Sequence, residues 1–301
     1  MPVVREQHMS IVATYSIVAR DPASGDLGVA VQSKFFAVGA VVPWARAGVG
    51  AVATQAHANV RFGPAGLELM AGGLTAGEAL ERLLLEDPAV AQRQVALVDR
   101  AGTVAVHTGS ECMHWAGHRV GIGYAVQGNI LVGERVITAM AEAFEGSAGE
   151  LAERLLSALQ AAEVAGGDRR GRQSAALYVA RAGGSYGGTH DRYIDLRVDD
   201  HGEPLDEVTR LLRLHRFYLT SPDPATLIPL TPELTSEIQA FLVEAGYYGG
   251  RTDGRFEELT RTALETYGGV ENLEVRLIGL DQNKIDPRVV EFIRRKRAAN
   301  A

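Results

Sequence analysis

The stretch TYSIVARDPASGDLGVAVQSKFFAVGAVV, residues 14–42, decides the fold that we predict. Residues 14–20 and 28–42 are rich in β-branched and aromatic side chains, which favour strands. The segment that joins them, DPASGDL, is dense in turn-forming residues. The stretch therefore predicts a β-hairpin made of two apolar strands.

Beyond this hairpin, strand pairs alternate with helix pairs as far as residue 220. Period-two and β-rich patterns predict further strands at 49–54, 94–109 (a second hairpin), 121–126, 174–180 and 193–198. Apolar residues at helical spacing predict helices at 63–72, 75–86, 131–145, 149–164 and 205–219. This order predicts an α+β fold in which helices cover two packed sheets.

The remainder of the chain has a different composition. Residues 221–232 are rich in proline and predict a linker, and residues 233–301 predict a small all-α domain with helices at 233–245 and near 256–267. That segment is too small to rely on a large core of its own. We therefore divide the chain into an N-terminal extension or propeptide (1–13), a main domain (14–220), the linker and the helical domain.

Composition narrows the classes of function. The formal net charge is −7, which argues against nucleic acid as the main partner. The sequence has no run of about 18 apolar residues and no apolar segment typical of a secretion signal near its start, so we expect a cytoplasmic protein that does not bind membranes. A single cysteine excludes a disulfide framework.

Lysine is scarce, and its placement is informative. Only three of the 30 basic residues are lysines, namely Lys34, Lys284 and Lys296. Lys34 lies in a strongly apolar stretch, so we expect it to be buried. Burial and neighbouring charges can tune the pKa of a lysine, which makes Lys34 a candidate functional residue. The alternative is an ordinary lysine on an edge strand.

A hairpin that is symmetric about Ser24 would place Thr14 opposite Lys34. Directly opposed residues share a face of the sheet, with Cβ atoms about 4.5–5.5 Å apart. An ammonium group there would lower the pKa of an adjacent amine or hydroxyl and so activate a threonine nucleophile. A slip of one residue would change these partners, and Thr14 would then be an ordinary strand threonine.

Two further segments contain candidate site residues. Asn129, in Gln127-Gly128-Asn129 between a predicted strand and a predicted helix, could stabilise a developing oxyanion or could simply cap the helix. The loop 166–174 offers forked donors for an anion, or else is a solvated, salt-bridged loop. Its candidate substrate-binding residues are Asp168, Arg169, Arg172, Gln173 and Ser174.

For other polar residues, the sequence gives weaker support for a functional role. Ser33, Thr54 and Gln55 could line the same cleft, although polar residues in strands usually only satisfy their neighbours. The set Cys112, His114 and His118, with His107 upstream, does not have a usual zinc spacing. We therefore expect neither a metal nor a cofactor in the site. We expect its substrate to be a small molecule.

The quoted stretch, continued through Met70, resembles the DUF1028 family. The likeness extends through HTGSECMHWAGH, GYAVQGN, GGDRRGRQSAALYV and YGGTHDRYIDLRVDDH and covers about residues 14–219. The resemblance implies a four-layer αββα sandwich like that of the N-terminal-nucleophile (Ntn) hydrolases, a class that often forms homo-oligomers. It also implies hydrolysis of an amide bond, which we expect in a small polar or anionic substrate. The alternative is a non-catalytic protein that binds a small anion on the same scaffold.

In Ntn enzymes the first residue of the chain is the nucleophile and its own α-amine is the base. The resemblance then makes Thr14 the nucleophile, Lys34 the modulator of its pKa, Asn129 the oxyanion donor, and Arg169 and Arg172 the anchors of the substrate. Relatives begin with Met directly before this threonine, whereas thirteen residues precede Thr14. Either the Ala13–Thr14 bond is cut autocatalytically, or the start site differs, or the site works without a free amine.

The segment ELTSEIQAFLVEAGYYGGRTDGRFEELTRTALETY resembles a helical peptidoglycan-binding module. The likeness rests on I-Q-x-F-L, G-Y-Y-G-G-x-x-D-G and T-x-x-A-L. We expect a role in packing, oligomerisation or shaping of the substrate site, with binding to cell wall as the weaker alternative.

Overall fold

The computed structural model describes residues 14–300, with side chains up to Ala299. The predicted N-terminal extension, residues 1–13, lies outside the described residues. The chain forms two compact units, of which the first ends at Leu211 and the second begins at Leu212. Each described helix is too short or too polar to cross a lipid bilayer.

The strands of the first unit are, in chain order, β1 (Thr14–Arg20), β2 (Leu27–Ser33), β3 (Pro43–Arg46), β4 (Gly50–Ala56), β5 (Arg93–Asp99), β6 (Val104–Thr108), β7 (Trp115–Gly121), β8 (Tyr124–Leu131), β9 (Ser174–Ala180) and β10 (Arg192–Val198). One sheet has the order β10-β9-β2-β1-β8-β7 and the other the order β3-β4-β5-β6. Every pairing is antiparallel.

The helices are α1 (Phe62–Ala71), α2 (Ala76–Leu85), α3 (Arg135–Gly146), α4 (Leu151–Val164) and α5 (Pro204–Tyr218), the last of which runs across the boundary between the units. Helices α1 and α2 cover the four-stranded sheet, and α3 and α4 cover the six-stranded sheet. The two sheets pack face to face. The predicted α+β fold with αββα layers is confirmed.

The core between the sheets follows from alternation along the strands. Val18 of β1 and Val29 and Val31 of β2 meet Ala51 and Ala53 of β4 in one buried cluster. Small alanines on one sheet allow the branched side chains of the other to pack closely. Toward the start of β1, polar residues occupy the positions that face the opposite sheet. The candidate site lies there.

The first hairpin differs from the prediction in register. Thr14 pairs with Ser33, not with Lys34. The turn is closed by backbone bonds between Asp21 and Asp26 and between Gly25 and Asp21, with Gly25 at φ 77°, so its centre lies half a residue before Ser24. Because the pairing moves by one residue, Lys34 lies beyond the end of β2.

The predicted strand at 28–42 also ends early, and the predicted burial of Lys34 is wrong. Lys34 is exposed, and the chain leaves the sheet there and turns through Ala37 at φ 53°. The backbone N–H of Lys34 donates to Asp168 Oδ2 (3.2 Å), and that of Val38 donates to Ser174 Oγ (3.1 Å). These side-chain acceptors replace the strand partners that a longer β2 would have used.

A buried ion pair connects the end of α2 to the start of β5. Arg93 Nε lies 2.8 Å from Asp87 Oδ2, and both side chains are buried. Burial alone would raise the pKa of Asp87, but hydrogen bonds from Arg93, Asn59 and the backbone N–H of Ala89 outweigh it and lower the pKa. Arg93 also donates to the His57 carbonyl (2.5 Å), so the pair orders the chain after β4.

This pair predicts a contribution to stability that depends on pH. A carboxyl whose pKa is lowered by folding stabilises the protein above its unfolded pKa, and this stabilisation is lost as the pH falls through the lowered, folded value. Between pH 7 and pH 3, the free energy of unfolding should therefore fall less for Asp87→Asn than for the unsubstituted protein. Denaturant unfolding at several pH values measures both slopes, and equal slopes would contradict the assignment.

The second unit is helical. Helices α6 (Pro232–Glu244), α7 (Glu258–Val270) and α8 (Pro287–Asn300) pack around an apolar cluster, and a two-stranded sheet joins β11 (Ile228–Pro229) to β12 (Lys284–Ile285). The predicted helical C-terminal part is confirmed. Arg276 is wholly buried, lies 3.0 Å from Asp286, and donates to the carbonyls of Arg216 and Phe217. These bonds join the end of α5 to the start of α8.

Candidate functional site

A buried polar cluster lies between the two sheets where β1 begins. Its side chains come from five strands of both sheets and are at most 1% exposed. Four of them are carboxamides, which we call the amide array: Gln55, Gln94, Gln127 and Asn129. Buried amides are costly unless they are hydrogen-bonded, so the bonds of the array define what it can do.

Thr14 lies against this array. Its Oγ1 donates to Ser33 Oγ at 3.1 Å, across the β1–β2 pairing. Gln55 Nε2 donates to the carbonyl oxygen of Thr14 (3.3 Å), and Ser16 Oγ donates to Gln55 Oε1 (2.6 Å). Gln55 therefore holds the first residues of β1 from the opposite sheet.

Gln94 orients two of the other three amides of the array. Its Nε2 donates to the carbonyls of Gly117 (3.2 Å) and Gly128 (2.9 Å), which can only accept. Its Oε1 must therefore point the other way, where it accepts from Gln55 Nε2 (2.8 Å) and Asn129 Nδ2 (2.9 Å). The orientation of both of these amides follows from that of Gln94.

Two amide oxygens of the array have no hydrogen-bond partner among the described residues, namely Gln127 Oε1 and Asn129 Oδ1. They lie two residues apart on β8 and so share a face. An unpaired buried acceptor costs about 1–3 kcal/mol, so the pair indicates a place where N–H or O–H donors bind. The second N–H of Asn129 Nδ2 can in addition donate to an anionic oxygen.

Asn129 lies inside β8, and α3 begins only at Arg135. The predicted helix over 131–145 thus starts four residues late, and both the capping role of Asn129 and a contribution from a helix N-terminus are wrong. Gln127 Nε2 donates to the Ala53 carbonyl (3.0 Å) and to Ser16 Oγ (3.3 Å). The segment is held by contacts between the sheets.

Backbone strain lies directly beside the array. Ala56, which follows Gln55, has φ 64°, and Ile130, which follows Asn129, has φ 52°. The left-handed region costs a residue with a side chain about 1–2 kcal/mol. Two backbone hydrogen bonds hold Ile130 in this conformation. The N–H of Ile130 donates to the Met113 carbonyl, and the carbonyl of Ile130 accepts from the N–H of Arg169. Strain of this kind is concentrated at functional sites.

The loop 166–174, which we call the arginine loop, reaches the same end of the sheet, but two of its three arginines already have acidic partners. Asp168 is buried and accepts from Arg170 (2.9 Å). Arg172 pairs with Glu163 and with Glu203 (2.7 Å). Arg169 is exposed and has no acidic partner among the described residues. Of the two predicted anchors, Arg169 is available to an anion and Arg172 is already neutralised.

The other predicted residues have structural contacts. Ser174 Oγ donates to the Phe35 carbonyl (2.5 Å), and Gln173 Nε2 donates to Asp200 (2.9 Å). Thr54 lies on the face of β4 opposite to Gln55, where its Oγ1 donates to the Asn59 carbonyl. Of the predicted set, the structure brings together Thr14, Ser33, Gln55 and Asn129.

The histidines near Cys112 bond to protein atoms. His118 Nδ1 lies 2.9 Å from Thr108 Oγ1, and His107 Nε2 lies 2.9 Å from the Val90 carbonyl. Burial and the neighbouring His107 lower the pKa of His118. Within residues 14–300, no group of three His, Cys, Asp or Glu side chains could hold a metal ion.

Sequence reasoning missed Gln94, the residue whose bonds orient Gln55 and Asn129. On β5, Gln94 lies on the same face as Ala96 and Val98, both of which face the opposite sheet. A glutamine on the inward face of a strand is an exception to the period-two pattern. The stretch QVALVD contains that exception, so the signal that could have found Gln94 lies in the sequence itself.

Comparison with known proteins agrees with the predicted resemblance. Residues 14–208 match the family described as "Family of unknown function (DUF1028)", and residues 218–293 match the family described as "Putative peptidoglycan binding domain". The crystal structure of protein SPO2555 from Silicibacter pomeroyi, a DUF1028 protein, is 30% identical to the chain with a TM-score of 0.63. The similarity covers 69% of this chain and 91% of that one. Among curated proteins, none matches the chain.

Proposed function

The chain belongs to the DUF1028 family, whose function is unknown, and on that premise we propose that it is an Ntn-type amidohydrolase acting on a small polar or anionic substrate. One observation carries the proposal. The Thr14 hydroxyl lies at the first position of β1, inside a buried amide array between two packed sheets. The αββα layers are the arrangement that the Ntn resemblance implies.

The chemistry requires a free amine on Thr14. Once the Ala13–Thr14 bond is cut, the Thr14 amine can act as the base for its own hydroxyl. Oγ1 then attacks the amide carbon of the substrate while its proton passes to the amine. The C–N bond breaks, the leaving amine takes that proton, and water hydrolyses the ester that remains.

The array supplies the polar environment for this reaction. The second N–H of Asn129 Nδ2 is the proposed oxyanion donor. The unpaired oxygens of Asn129 and Gln127 are proposed to accept from the N–H groups of the substrate or of the freed amine. Arg169 is the proposed anchor of an anionic substrate. Lys34 has no place in this mechanism, because the predicted pairing with Thr14 was wrong and its side chain is exposed.

Two alternatives are weaker. A protein that only binds anions would rely on the arginine loop, where Arg170 and Arg172 already have acidic partners. Binding to peptidoglycan rests on the match of residues 218–293 and would belong to the second unit.

Intact-mass spectrometry and N-terminal sequencing of the purified full-length chain test the proposal. We expect the loss of residues 1–13, with Thr14 as the new first residue, and hydrolysis of at least one member of a panel of N-acyl amino acids and primary amides. A chain that keeps its full mass and hydrolyses none of the panel would contradict the proposed function.

A further inference from the structure

A groove in the second unit lies between the last turns of α5 and helix α8. It has a volume of about 600 Å³. Its apolar lining includes Leu214, Phe217, Tyr218 and Phe292. The rings of Phe217 and Phe292 are stacked, with centroids 5.7 Å apart and planes inclined by 24°. Volumes of this order are typical of sites for small organic molecules.

Contacts with a buried arginine fix the position of Phe217 in the groove. Buried Arg276 donates to the backbone carbonyl of Phe217, and its guanidinium lies 5.6 Å from the centroid of the Phe217 ring. Its ion pair with Asp286 fixes the start of α8. A ligand would therefore meet a surface that is already ordered, which lowers the entropic cost of binding.

Helix α8 contains four consecutive basic residues, 294–297, in a chain with a net charge of −7. Three of them have acidic partners: Arg294 pairs with Glu237, Lys296 with Glu271, and Arg297 with Glu244. Arg295 is exposed, lines the groove, and has no acidic partner in the described part of the chain.

A second guanidinium reaches the groove from α5. Arg213 lines it and likewise has no acidic partner within residues 14–300. Arg288 lies on the rim and is paired with Asp286 (3.0 Å). The only acidic residue of the lining is Glu291. The groove thus combines an aromatic floor with two cations that lack protein counter-ions, and guanidinium groups bind carboxylates through parallel hydrogen bonds.

We propose that this groove binds a small aromatic carboxylate. The carboxylate lies between Arg213 and Arg295, and the ring packs against Phe217 and Phe292. Offset or edge-on contact between aromatic rings adds to the burial of apolar surface. The groove residues belong to the second unit and Thr14 belongs to the first, so this proposal does not depend on the proposed amide hydrolysis.

Titration calorimetry of the full-length chain with 2-naphthoate tests this site. We expect binding that is at least about tenfold weaker for the uncharged naphthalene-2-carboxamide, since hydrogen bonds between a guanidinium and a carboxylate are stronger than those to a neutral amide. Arg295→Gln should weaken binding of naphthoate by a similar factor. Arg294→Gln is the matched control, because it removes a neighbouring guanidinium that is paired with Glu237, and it should leave the affinity unchanged.

Several results would overturn the proposal. These are no binding of naphthoate at millimolar concentration, equal weakening by the two arginine substitutions, or equal affinity for the carboxamide. Octanoate binding without naphthoate binding would show that the site selects acyl chains. Sedimentation analysis of the same sample adds a further outcome: self-association through this face, lost in Arg295→Gln and unaffected by naphthoate, would make the groove an interface between copies.

Discussion

Replacing Thr14 by alanine should leave the protein folded but abolish both cleavage before residue 14 and hydrolysis of the substrate amide. The substitution removes the attacking oxygen, and the loss of a nucleophile typically lowers kcat by at least about 1,000-fold. It also removes the bond to Ser33 Oγ, which should lower the free energy of unfolding by only about 1 kcal/mol. Intact mass, the rate on the substrate identified from the panel, and the denaturation midpoint measure the three effects.

A matched control separates the nucleophile from any other threonine. Thr209 on α5 donates its hydroxyl to the Leu205 carbonyl (2.7 Å), outside the array. Thr209→Ala should retain both cleavage and hydrolysis. If Thr14→Ala retained them as well, Thr14 would not be the nucleophile.

Replacing Gln94 by methionine should destabilise the first unit by about 3 kcal/mol or more. Methionine fills a similar volume but leaves the carbonyls of Gly117 and Gly128 without the Gln94 donor, and the amides of Gln55 and Asn129 without their shared acceptor. Each buried group left unpaired costs about 1–3 kcal/mol. Tryptophan fluorescence during urea unfolding measures the effect selectively, because Trp44 and Trp115 both lie in the first unit.

Gln32 provides the control. It is as deeply buried as Gln94 but lies on the opposite face of β2 from Ser33, and its Nε2 has no partner among the described residues. Gln32→Met should change the free energy of unfolding by less than about 1 kcal/mol, or increase it, because it removes an unpaired polar group. Equal losses in the two variants would mean that burial of volume, not the bonds of Gln94, stabilises this region.

The layers of the fold could be predicted from the sequence, whereas the register of the first hairpin could not. Alternation and helical spacing are local patterns, and they locate the strands and helices that build the two sheets. The pairing of Thr14 depends on where the turn is centred. Bonds between Asp21 and Asp26 shift that centre by half a residue, which moves the pairing by one. Apolar residues on both faces of β1 and β2 give no preference between the two registers.

The candidate site could be predicted in part. Thr14 and Gln55 stand out in the sequence as polar residues of predicted strand segments, and Asn129 stands out as a polar residue after one, and the three do meet. The wrong register misplaces Lys34, and Arg172 is not open to a ligand, because Glu163 and Glu203 already neutralise it. Pairing between residues that are distant in sequence is a tertiary property, and no local pattern reports it.

The amide array also has a consequence for the order of synthesis and folding. Its bonds to Thr14 and Ser16 span 39 to 111 residues of sequence, with partners from Gln55 to Gln127. A chain emerging from the ribosome therefore makes Thr14 long before the partners that orient it exist. Such distant contacts form late, since closing long loops slows folding. Any reaction at Thr14 that requires the array would thus mark chains in which both sheets have already docked, and it would spare nascent and misfolded ones.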